Sequence, residues 1–370
     1  MKNFNKKIYF IYLAAFSNTG GIEEFAKQFI KSLENISTDN QLKKSKIEII
    51  SVYDNQSDYK TINQNVQFIG FGGSKIKTIL YVIRKVKKED IIFYSHINLL
   101  FLAAFNSLFK RVKKSYFSIY GIEVWKKFSV IKKYLLKNYF FLSISNYTKN
   151  IFVENSGVDP EKISIFPCCI DLNTSNKEYD NPYIDSEYNI LSVSRLSKED
   201  NYKGIDSVIK ILPELKSYIP NIKYTIIGKG DDLNRLNKLS KNLNVEKNIN
   251  FKGYVKNLRP YYKKCDIFTL PSKNEGFGIV YLEAMEYKKP VIAANSGGAT
   301  DVIRDNETGF LCNYDDLESL KSKILFITNN KSKAKEIGKS GYNFLIENFT
   351  FKQFEKRLAT IVYDLIKNEK

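Results

Sequence analysis

Short β-prone segments alternate with longer amphipathic segments along most of the chain, and this alternation restricts the fold more than any other feature. The first half contains pairs such as KIYFIYLAA followed by EEFAKQFIKSLEN. After a polar stretch at 169–189, the pattern restarts with NILSVSRL and continues through KYTIIGKG, DIFTLPS and PVIAAN. Strands that alternate with helices form parallel sheets covered by helices on both faces. We therefore predict an α/β protein with two doubly wound, Rossmann-like domains facing a cleft.

The length of 370 residues agrees with two domains of about 150–200 residues each. From the pattern we place one domain at 1–172, a linker at 173–189 and a second domain at 190–347. An amphipathic segment, 348–370, follows the second domain. The start of the chain is basic and then apolar, as in a signal peptide, but IYFIYLAAF ends in a Gly-Gly turn and we interpret it as the first strand.

The composition excludes several kinds of protein. Four cysteines without a CxxC spacing argue against a zinc centre and against a disulfide framework. A single histidine, His96, excludes any mechanism that needs two imidazoles. The longest apolar runs, such as INLLFLAAF, are far shorter than the roughly 20 residues that a membrane-spanning helix needs.

Positive charge is concentrated in one part of the chain. The formal net charge is +18, and region 75–137 contains fifteen Lys or Arg residues against three acidic residues. This excess favours an anionic partner surface, either nucleic acid or acidic lipid, and solvated lysines are the alternative. In 75–88 and 124–141 the lysines are interleaved with bulky apolar residues, which is typical of a helix in a lipid interface. We expect an anionic membrane surface as partner and, without an RNP or helix-turn-helix pattern, no nucleic acid.

The segment PSKNEGFGIVYLEAMEYKKP places Glu275 and Glu283 around a Gly-x-Gly turn. The pattern predicts a strand, a turn and a helix, so the backbone N–H groups of 276–279 would form an anion site at the helix N-terminus. Acidic side chains beside an anion site favour uncharged hydroxyl ligands. A phosphate together with a polyol indicates a nucleotide sugar.

These residues resemble the retaining glycosyltransferases of family 4 (glycosyl transferases group 1), which have a GT-B fold and an E-x7-E motif in the second domain. Here the motif is Glu275-GFGIVYL-Glu283. Other segments resemble family elements in the expected order. They are GGIEEF (20–25), YGIEVW (120–125), SISNYTKN (143–150), ISIFPCCIDL (163–172), SVSRLSKEDNYKG (192–204), YTIIGKGDD (224–232), FKGYV (251–255), SGGATDVI (296–303) and NETGFL (306–311).

The resemblance implies that Glu275 binds hydroxyls of the donor sugar, that Glu283 binds hydroxyls of the ribose, and that Arg195 and Lys203 hold the diphosphate. NYKG makes the spacing from Arg195 to Lys203 longer than is usual in the family. Two fixed cations can stabilise a leaving diphosphate without a metal. We therefore expect no metal and no cofactor, with the nucleotide-diphosphate sugar as donor substrate. The other donor-binding candidates are Gly276, Phe277, Gly278 and Ile279 in the turn, Gly20 and Gly21 in the first loop, and Gly253, Tyr254 and Val255 where the family packs the base.

His96, Tyr120 and Glu123 are the candidates on the acceptor side. Tyr120 stands where many relatives have a histidine, and tyrosine keeps a hydrogen bond but not the proton chemistry of an imidazole. Retaining transferases of this kind are thought to substitute on one face of the sugar, and the departing phosphate takes the acceptor's proton. The loss of this histidine is therefore compatible with activity. For His96, a structural role is the alternative.

The resemblance implies a retaining glycosyltransferase that moves a sugar from a nucleotide-diphosphate sugar to a saccharide acceptor. We expect the acceptor to be linked to polyprenyl diphosphate, in the biosynthesis of a bacterial surface polysaccharide such as capsule or lipopolysaccharide. The expected location is cytoplasmic, peripheral on the inner face of the plasma membrane. Domain 1–172 would bind the acceptor, domain 190–347 the nucleotide sugar, and 348–370 would cross back to the first domain. A sugar phosphorylase or a nucleotide-sugar epimerase of the same fold is the alternative, and a basic nucleic-acid-binding protein is a more remote one.

Overall fold

The computed structural model describes residues 6–18, 20–39, 42, 45–110, 112, 114–172, 182–184 and 186–367. It divides into two compact units. Unit 1 comprises Met1–Cys169 and Phe351–Lys370, and unit 2 comprises Ile170–Thr350. Of the predicted linker, 173–189, residues 173–181 and 185 lie outside the described part of the chain.

Unit 1 is built on a seven-stranded sheet whose strands all pair in parallel. Its strands are β1 (Lys7–Tyr12), β2 (Lys46–Ser51), β3 (Val66–Gly70), β4 (Ile91–Tyr94), β5 (Lys114–Ile119), β6 (Phe140–Ser143) and β7 (Ile163–Ile165). In β1 the five residues from Ile8 to Tyr12 are all buried. A run of apolar residues without alternation suits a parallel strand, because both faces of the sheet are covered.

Five helices of unit 1 follow its strands. They are α1 (Gly21–Ile36), α2 (Lys75–Lys85), α3 (Leu100–Lys110), α4 (Val130–Leu136) and α5 (Asn146–Ser156). Helix α1 buries Phe25, Phe29 and Leu33, which recur every fourth residue and so share one face. Among the described helices, none is both long enough and apolar enough to cross a membrane.

Unit 2 is built on a six-stranded parallel sheet. Its strands are β8 (Tyr188–Val193), β9 (Ile222–Ile227), β10 (Ile249–Gly253), β11 (Ile267–Leu270), β12 (Val291–Ala294) and β13 (Phe310–Cys312). Its helices are α6 (Ile205–Tyr218), α7 (Leu233–Asn242), α8 (Arg259–Lys264), α9 (Ile279–Glu286), α10 (Ala299–Val302), α11 (Leu317–Asn329) and α12 (Lys331–Asn348). The two parallel sheets confirm the predicted class of two doubly wound α/β domains.

The strand order locates the crevice within each unit where a ligand can bind. Unit 1 has the order β3-β2-β1-β4-β5-β6-β7, and unit 2 has the order β10-β9-β8-β11-β12-β13. The order reverses between β1 and β4 and between β8 and β11. Loops that leave the carboxyl ends of such a strand pair diverge to opposite sides, which makes this switch point the usual ligand site of an open α/β sheet.

The last helix, α13 (Phe351–Lys367), belongs to unit 1 and packs against α1. It begins after α12 ends at Asn348, and residues 368–370 lie outside the described part of the chain. Phe354 of α13 is fully buried and makes edge-to-face contacts with Phe25 and Phe166, with ring centroids 5.3 and 4.6 Å apart. Helix α13 therefore completes the aromatic core of unit 1.

We expect Phe354→Ala to lower the free energy of unfolding of unit 1 by about 3–5 kcal/mol, because it leaves a cavity among aromatic side chains. Lys352→Ala, at an exposed position of the same helix, is the control and should change it by less than about 0.5 kcal/mol. Trp125 is the single tryptophan and lies in unit 1, so urea unfolding followed by its fluorescence reports this unit. A small and equal effect of both variants would contradict the packing role of α13.

Candidate active site

Two of the predicted catalytic residues lie on either side of the switch point in unit 2. Arg195 follows β8 closely, and Glu275 lies in the turn between β11 and α9. Strands β8 and β11 are neighbours and pair in parallel. Their carboxyl ends therefore deliver both residues to the same edge of the sheet.

Glu275 forms an ion pair with Lys203, the third predicted catalytic residue. The Lys203 Nζ atom lies 2.7 Å from Glu275 Oε2. The two side chains are only 14% and 16% exposed, so solvent screens their attraction less than at an open surface. The structure thus brings together two residues that are 72 positions apart in the sequence.

The turn that carries Lys203 is held against the loop that leads to Glu275. Residues 198–203 form a short 3-10 turn, which ends at Gly204 with φ 73°. A Cβ atom on Gly204 would lie 2.3 Å from the carbonyl oxygen of Pro271, so only glycine permits this approach. In addition, the Lys273 N–H donates to the Tyr202 carbonyl oxygen at 2.9 Å.

The loop after β12 supports the backbone of Glu275 from the other side. Gly297 has φ 68°, and a Cβ atom there would lie 2.6 Å from the Glu275 nitrogen. The N–H of Gly298 donates to the Glu275 carbonyl oxygen at 2.6 Å. The SGGA sequence that resembled a family element is therefore needed for this close backbone contact.

Arg195 is anchored by a residue that the sequence analysis missed. Its guanidinium lies 3.2 Å from Asp200 Oδ2, and Asp200 is buried although Arg195 itself is 73% exposed. Asp200 also accepts a hydrogen bond from the Tyr202 hydroxyl at 2.9 Å. Burial, together with this hydrogen bond to Asp200, raises the pKa of Tyr202 above its ordinary value, so the phenol remains a donor. Asp200 and Tyr202 both lie in the sequence SKEDNYKG. The extra residues before Lys203 were the only feature of the sequence that could have pointed to them.

Glu283 lies on α9 and is oriented by α8. Its Oε2 atom accepts a hydrogen bond of 2.6 Å from the Tyr262 hydroxyl. Tyr262 is buried, and its burial together with the Glu283 charge raises the pKa of Tyr262 well above the ordinary value. Nothing in the LRPYYKKC sequence distinguished Tyr262 from its neighbour Tyr261.

The turn between Glu275 and α9 offers backbone groups and one buried ring. Phe277 is buried and packs edge to face on Phe349 with centroids 5.6 Å apart, so its side chain is part of the core. Gly278 caps the N-terminus of α9, which begins at Ile279. If residues 276–279 bind the donor as predicted, the contacts are therefore made by their backbone groups and by the Ile279 side chain.

The predicted base-packing residues follow β10, two strands away from β8. Gly253 ends this strand with φ 65°, and Val255 lies in the loop beyond it. The Tyr254 ring between them is 64% exposed, and Lys229 Nζ lies 5.6 Å from its centroid. The structure presents an exposed aromatic face here, at the same edge of the sheet as Arg195.

In unit 1 the three acceptor-side candidates lie together beyond β4 and β5. The rings of His96 and Tyr120 are 6.2 Å apart, and Glu123 accepts a hydrogen bond of 2.5 Å from the Tyr120 N–H. His96 Nδ1 accepts from the Asn98 N–H at 3.0 Å. Burial lowers the pKa of His96, although Glu123 and Glu23 act in the opposite direction. His96 is therefore neutral at pH 7, with its proton on Nε2.

The first loop of unit 1 joins β1 to α1. It leaves the β1 side of the switch point, whereas His96 lies on the β4 side. Helix α1 begins at Gly21, and Gly20 before it has extended backbone. A Cβ atom on Gly20 would lie 2.5 Å from the Glu23 carboxylate. The start of this loop is fixed by Asp54, a buried residue that the sequence analysis missed, which accepts from the N–H groups of Ala15 and Ser17 at 2.9 Å each.

The geometry of unit 2 provides two cations, two carboxylates and an exposed aromatic ring along the carboxyl edge of one sheet. Such a set can bind a molecule that combines phosphate, hydroxyl groups and a flat base. Within the described residues, no group of three or more His, Cys, Asp or Glu side chains has the arrangement to hold a metal ion.

Comparison with known proteins agrees with this chemistry. Residues 176–344, which lie within unit 2, match the family described as glycosyl transferases group 1. A GDP-mannose-dependent α-(1-6)-phosphatidylinositol monomannoside mannosyltransferase of Mycolicibacterium smegmatis is 28% identical over 169 residues, covering 43% of this chain and 44% of that protein. The chain spans about two fifths to a half of the length of the first curated relatives that it matches.

Solved structures match along nearly the whole chain. A glycosyltransferase from Rickettsia africae ESF-5 superposes with a TM-score of 0.75 at 20% identity, covering 99% of this chain and all of that one. Anabaena HepE, solved in complex with UDP-glucose, superposes with a TM-score of 0.73 at 18% identity, covering 96% and 99% of the two chains. At these identities the likeness concerns the fold alone. Residues 176–344 are similar to the glycosyl transferases group 1, and the two sheets have the GT-B fold that the motifs predicted.

Proposed function

We propose that the protein is a retaining glycosyltransferase that moves a sugar from a nucleotide-diphosphate sugar to a saccharide acceptor without a metal. The Lys203–Glu275 ion pair at the switch point of unit 2 is the observation that supports this most directly. A diphosphate can take the place of the carboxylate beside Lys203, and sugar hydroxyls can take the place of the ammonium beside Glu275. One ligand that carries both groups satisfies both residues.

The proposed reaction needs stabilisation of a leaving diphosphate. The bond between the anomeric carbon and the β-phosphate oxygen breaks, and an acceptor hydroxyl oxygen forms the new bond on the same face of the sugar. The acceptor proton passes to the departing phosphate oxygen. Negative charge grows on the diphosphate during this step, and the fixed charges of Arg195 and Lys203 stabilise it.

The two glutamates have different proposed partners. Glu275 accepts hydrogen bonds from the donor sugar, next to the bond that breaks. Glu283 accepts hydrogen bonds from the ribose, and Tyr262 keeps its carboxylate in a fixed orientation. The exposed Tyr254 ring gives the base a surface on which to stack.

We assign the acceptor side to unit 1, through His96, Tyr120 and Glu123. Neutral His96, with Nδ1 engaged by Asn98, can donate a hydrogen bond from Nε2 to an acceptor hydroxyl. Burial raises the pKa of Tyr120 well above its ordinary value, which makes this residue unsuitable as a base. Proton transfer to the departing phosphate removes the need for one.

We propose that the acceptor is a lipid-linked saccharide of a bacterial surface polysaccharide. The Mycolicibacterium smegmatis relative supports this class, since its name specifies a phosphatidylinositol monomannoside acceptor. Incubation of radiolabelled UDP-, GDP-, ADP- and CDP-sugars with polyprenyl-diphosphate-linked saccharides tests the proposal. Transfer of label to the lipid with the donor's anomeric configuration kept would support it, whereas transfer to inorganic phosphate alone or epimerisation of the donor would contradict it.

We expect Glu275→Ala to lower kcat by about 100-fold or more while changing nucleoside diphosphate affinity little. Glu283→Ala should instead weaken nucleoside diphosphate binding by roughly 10- to 150-fold, the equivalent of about 1.5–3 kcal/mol for one charged hydrogen bond. Steady-state kinetics and isothermal titration with the nucleoside diphosphate measure the two effects. Glu246→Ala, at an exposed position of unit 2, is the control. Equal losses of binding in both variants would show that the roles are misassigned.

We expect Arg195→Ala to reduce kcat strongly, and Arg195→Lys to restore part of the activity because a cation is retained. The wild-type protein should keep its activity in EDTA, since Arg195 and Lys203 supply the positive charge that a metal supplies elsewhere. Complete inhibition by EDTA that is reversed by magnesium or manganese would refute the metal-free reaction.

Asp200 should act as a positioning residue for Arg195, and its hydrogen bond from Tyr202 should contribute little to kcat. We expect Asp200→Ala to lower kcat by about tenfold, less than Arg195→Ala. In the double variant Arg195→Ala/Asp200→Ala, the loss of kcat should equal that of Arg195→Ala alone, because Asp200 has no Arg195 side chain left to position. Additive losses in this cycle would mean that Asp200 has an independent role.

A further inference from the structure

Three neighbouring helices of unit 1 expose large apolar side chains. Helix α3 packs against both α2 and α4. Of the sixteen large apolar side chains that are strongly exposed in the described part of the chain, eight lie on these three helices. They are Ile76 and Leu80 on α2, Phe101, Phe105 and Leu108 on α3, and Val130, Ile131 and Tyr134 on α4. We call this set the three-helix face.

The exposed side chains of α3 form one continuous stripe. Phe101, Phe105 and Leu108 have the i, i+4, i+7 spacing of a single helix face. The opposite side of the helix buries Leu100 and Ala103 in the core of unit 1. Helix α3 therefore has apolar side chains both on the side that packs in the core of unit 1 and on the side that is exposed.

The three-helix face is positively charged around its apolar residues. Exposed lysines and one arginine lie on α2, on α4 and in the segments next to α4. They are Lys75, Lys77, Arg84, Lys126, Lys127, Lys132 and Lys137. The sequences of α2, α3 and α4 contain no aspartate or glutamate. The three helices of the face therefore combine exposed apolar area with positive charge and carry no negative charge of their own.

We propose that the three-helix face binds the surface of a bilayer that contains anionic lipids. Phe101, Phe105 and Leu108 enter the boundary between head groups and acyl chains, and the surrounding cations contact the lipid phosphates. A second copy of the chain is a poorer occupant, because it would bring two positively charged faces together. The sequence pattern indicated 75–88 and 124–141, and the structure adds α3 between them as the apolar centre of the contact.

Vesicle binding tests this inference without donor or acceptor, so its result is separate from that of the transfer reaction. We expect the protein to sediment at low salt with vesicles of phosphatidylcholine and phosphatidylglycerol. It should not sediment with vesicles of pure phosphatidylcholine, and high salt should release it from the anionic vesicles. Trp125 is the single tryptophan and lies just before α4. Brominated lipids should quench its fluorescence on binding.

Two variants of the face, each with a matched control, locate the contact. Phe101→Gln/Leu108→Gln should reduce vesicle partitioning by about tenfold or more, whereas Ile62→Gln, at an exposed apolar position elsewhere in unit 1, should not. Lys126→Gln/Lys127→Gln/Lys132→Gln should reduce partitioning and its dependence on salt. Lys238→Gln/Lys241→Gln/Lys247→Gln removes the same charge from exposed positions of unit 2 and should have little effect.

The proposal is overturned if wild-type protein does not sediment with anionic vesicles at low salt, or if each control variant loses as much binding as its partner. It is also overturned if light scattering shows that the wild-type protein is a dimer and that the variants of the three-helix face are monomers, while their vesicle binding is unchanged. Thermal melting of every variant shows whether the fold is intact. If Phe101→Gln/Leu108→Gln has a lowered melting temperature, the comparison of the two triple lysine variants tests the proposal in its place.

Discussion

The ion pair between Lys203 and Glu275 is the interaction on which the candidate site depends. It joins the 3-10 turn after β8 to the turn after β11, and both side chains are mostly withdrawn from solvent. An unpaired charge in such a position is costly, so each residue needs a partner at every stage. In the proposed reaction the diphosphate and the sugar hydroxyls of the donor replace the two partners together. The interaction that holds the ligand-free loops in place thereby also specifies the chemistry of the ligand.

The same architectural rule positions the candidate residues of both units. In each unit, loops leave the switch point of a parallel sheet at the carboxyl ends of two neighbouring strands. Unit 2 places Arg195 and Glu275 there, and unit 1 places the Gly20 loop and His96. Buried carboxylates fix the arrangement: Asp200 holds Arg195, and Asp54 holds the loop before Gly20. Rigid supporting residues of this kind keep a site in its productive geometry.

The alternation of strand and helix patterns predicted the fold class, because local periodicity determines which face of each element is buried. Contacts between distant residues were not predictable in this way. The extra residues before Lys203 looked like a departure from the family, yet they form the turn that brings Lys203 to Glu275. The side chain of Phe277 packs on Phe349, so the donor contact predicted for this residue is left to its backbone. The apolar sequence of α3 gave no sign that one of its faces is exposed. A helix that is apolar on all sides shows the same hydrophobic periodicity whether all of its faces are buried or one of them is exposed.

A crystal structure with the nucleotide-diphosphate sugar that most raises the melting temperature tests the central claim most directly. We predict that the diphosphate lies at the carboxyl ends of β8 and β11, with Lys203 Nζ about 3 Å from a phosphate oxygen. The Lys203–Glu275 contact should then be broken, and Glu275 should accept from a hydroxyl of the sugar. A bound donor that leaves the ion pair intact, or that lies away from this edge of unit 2, would contradict the account.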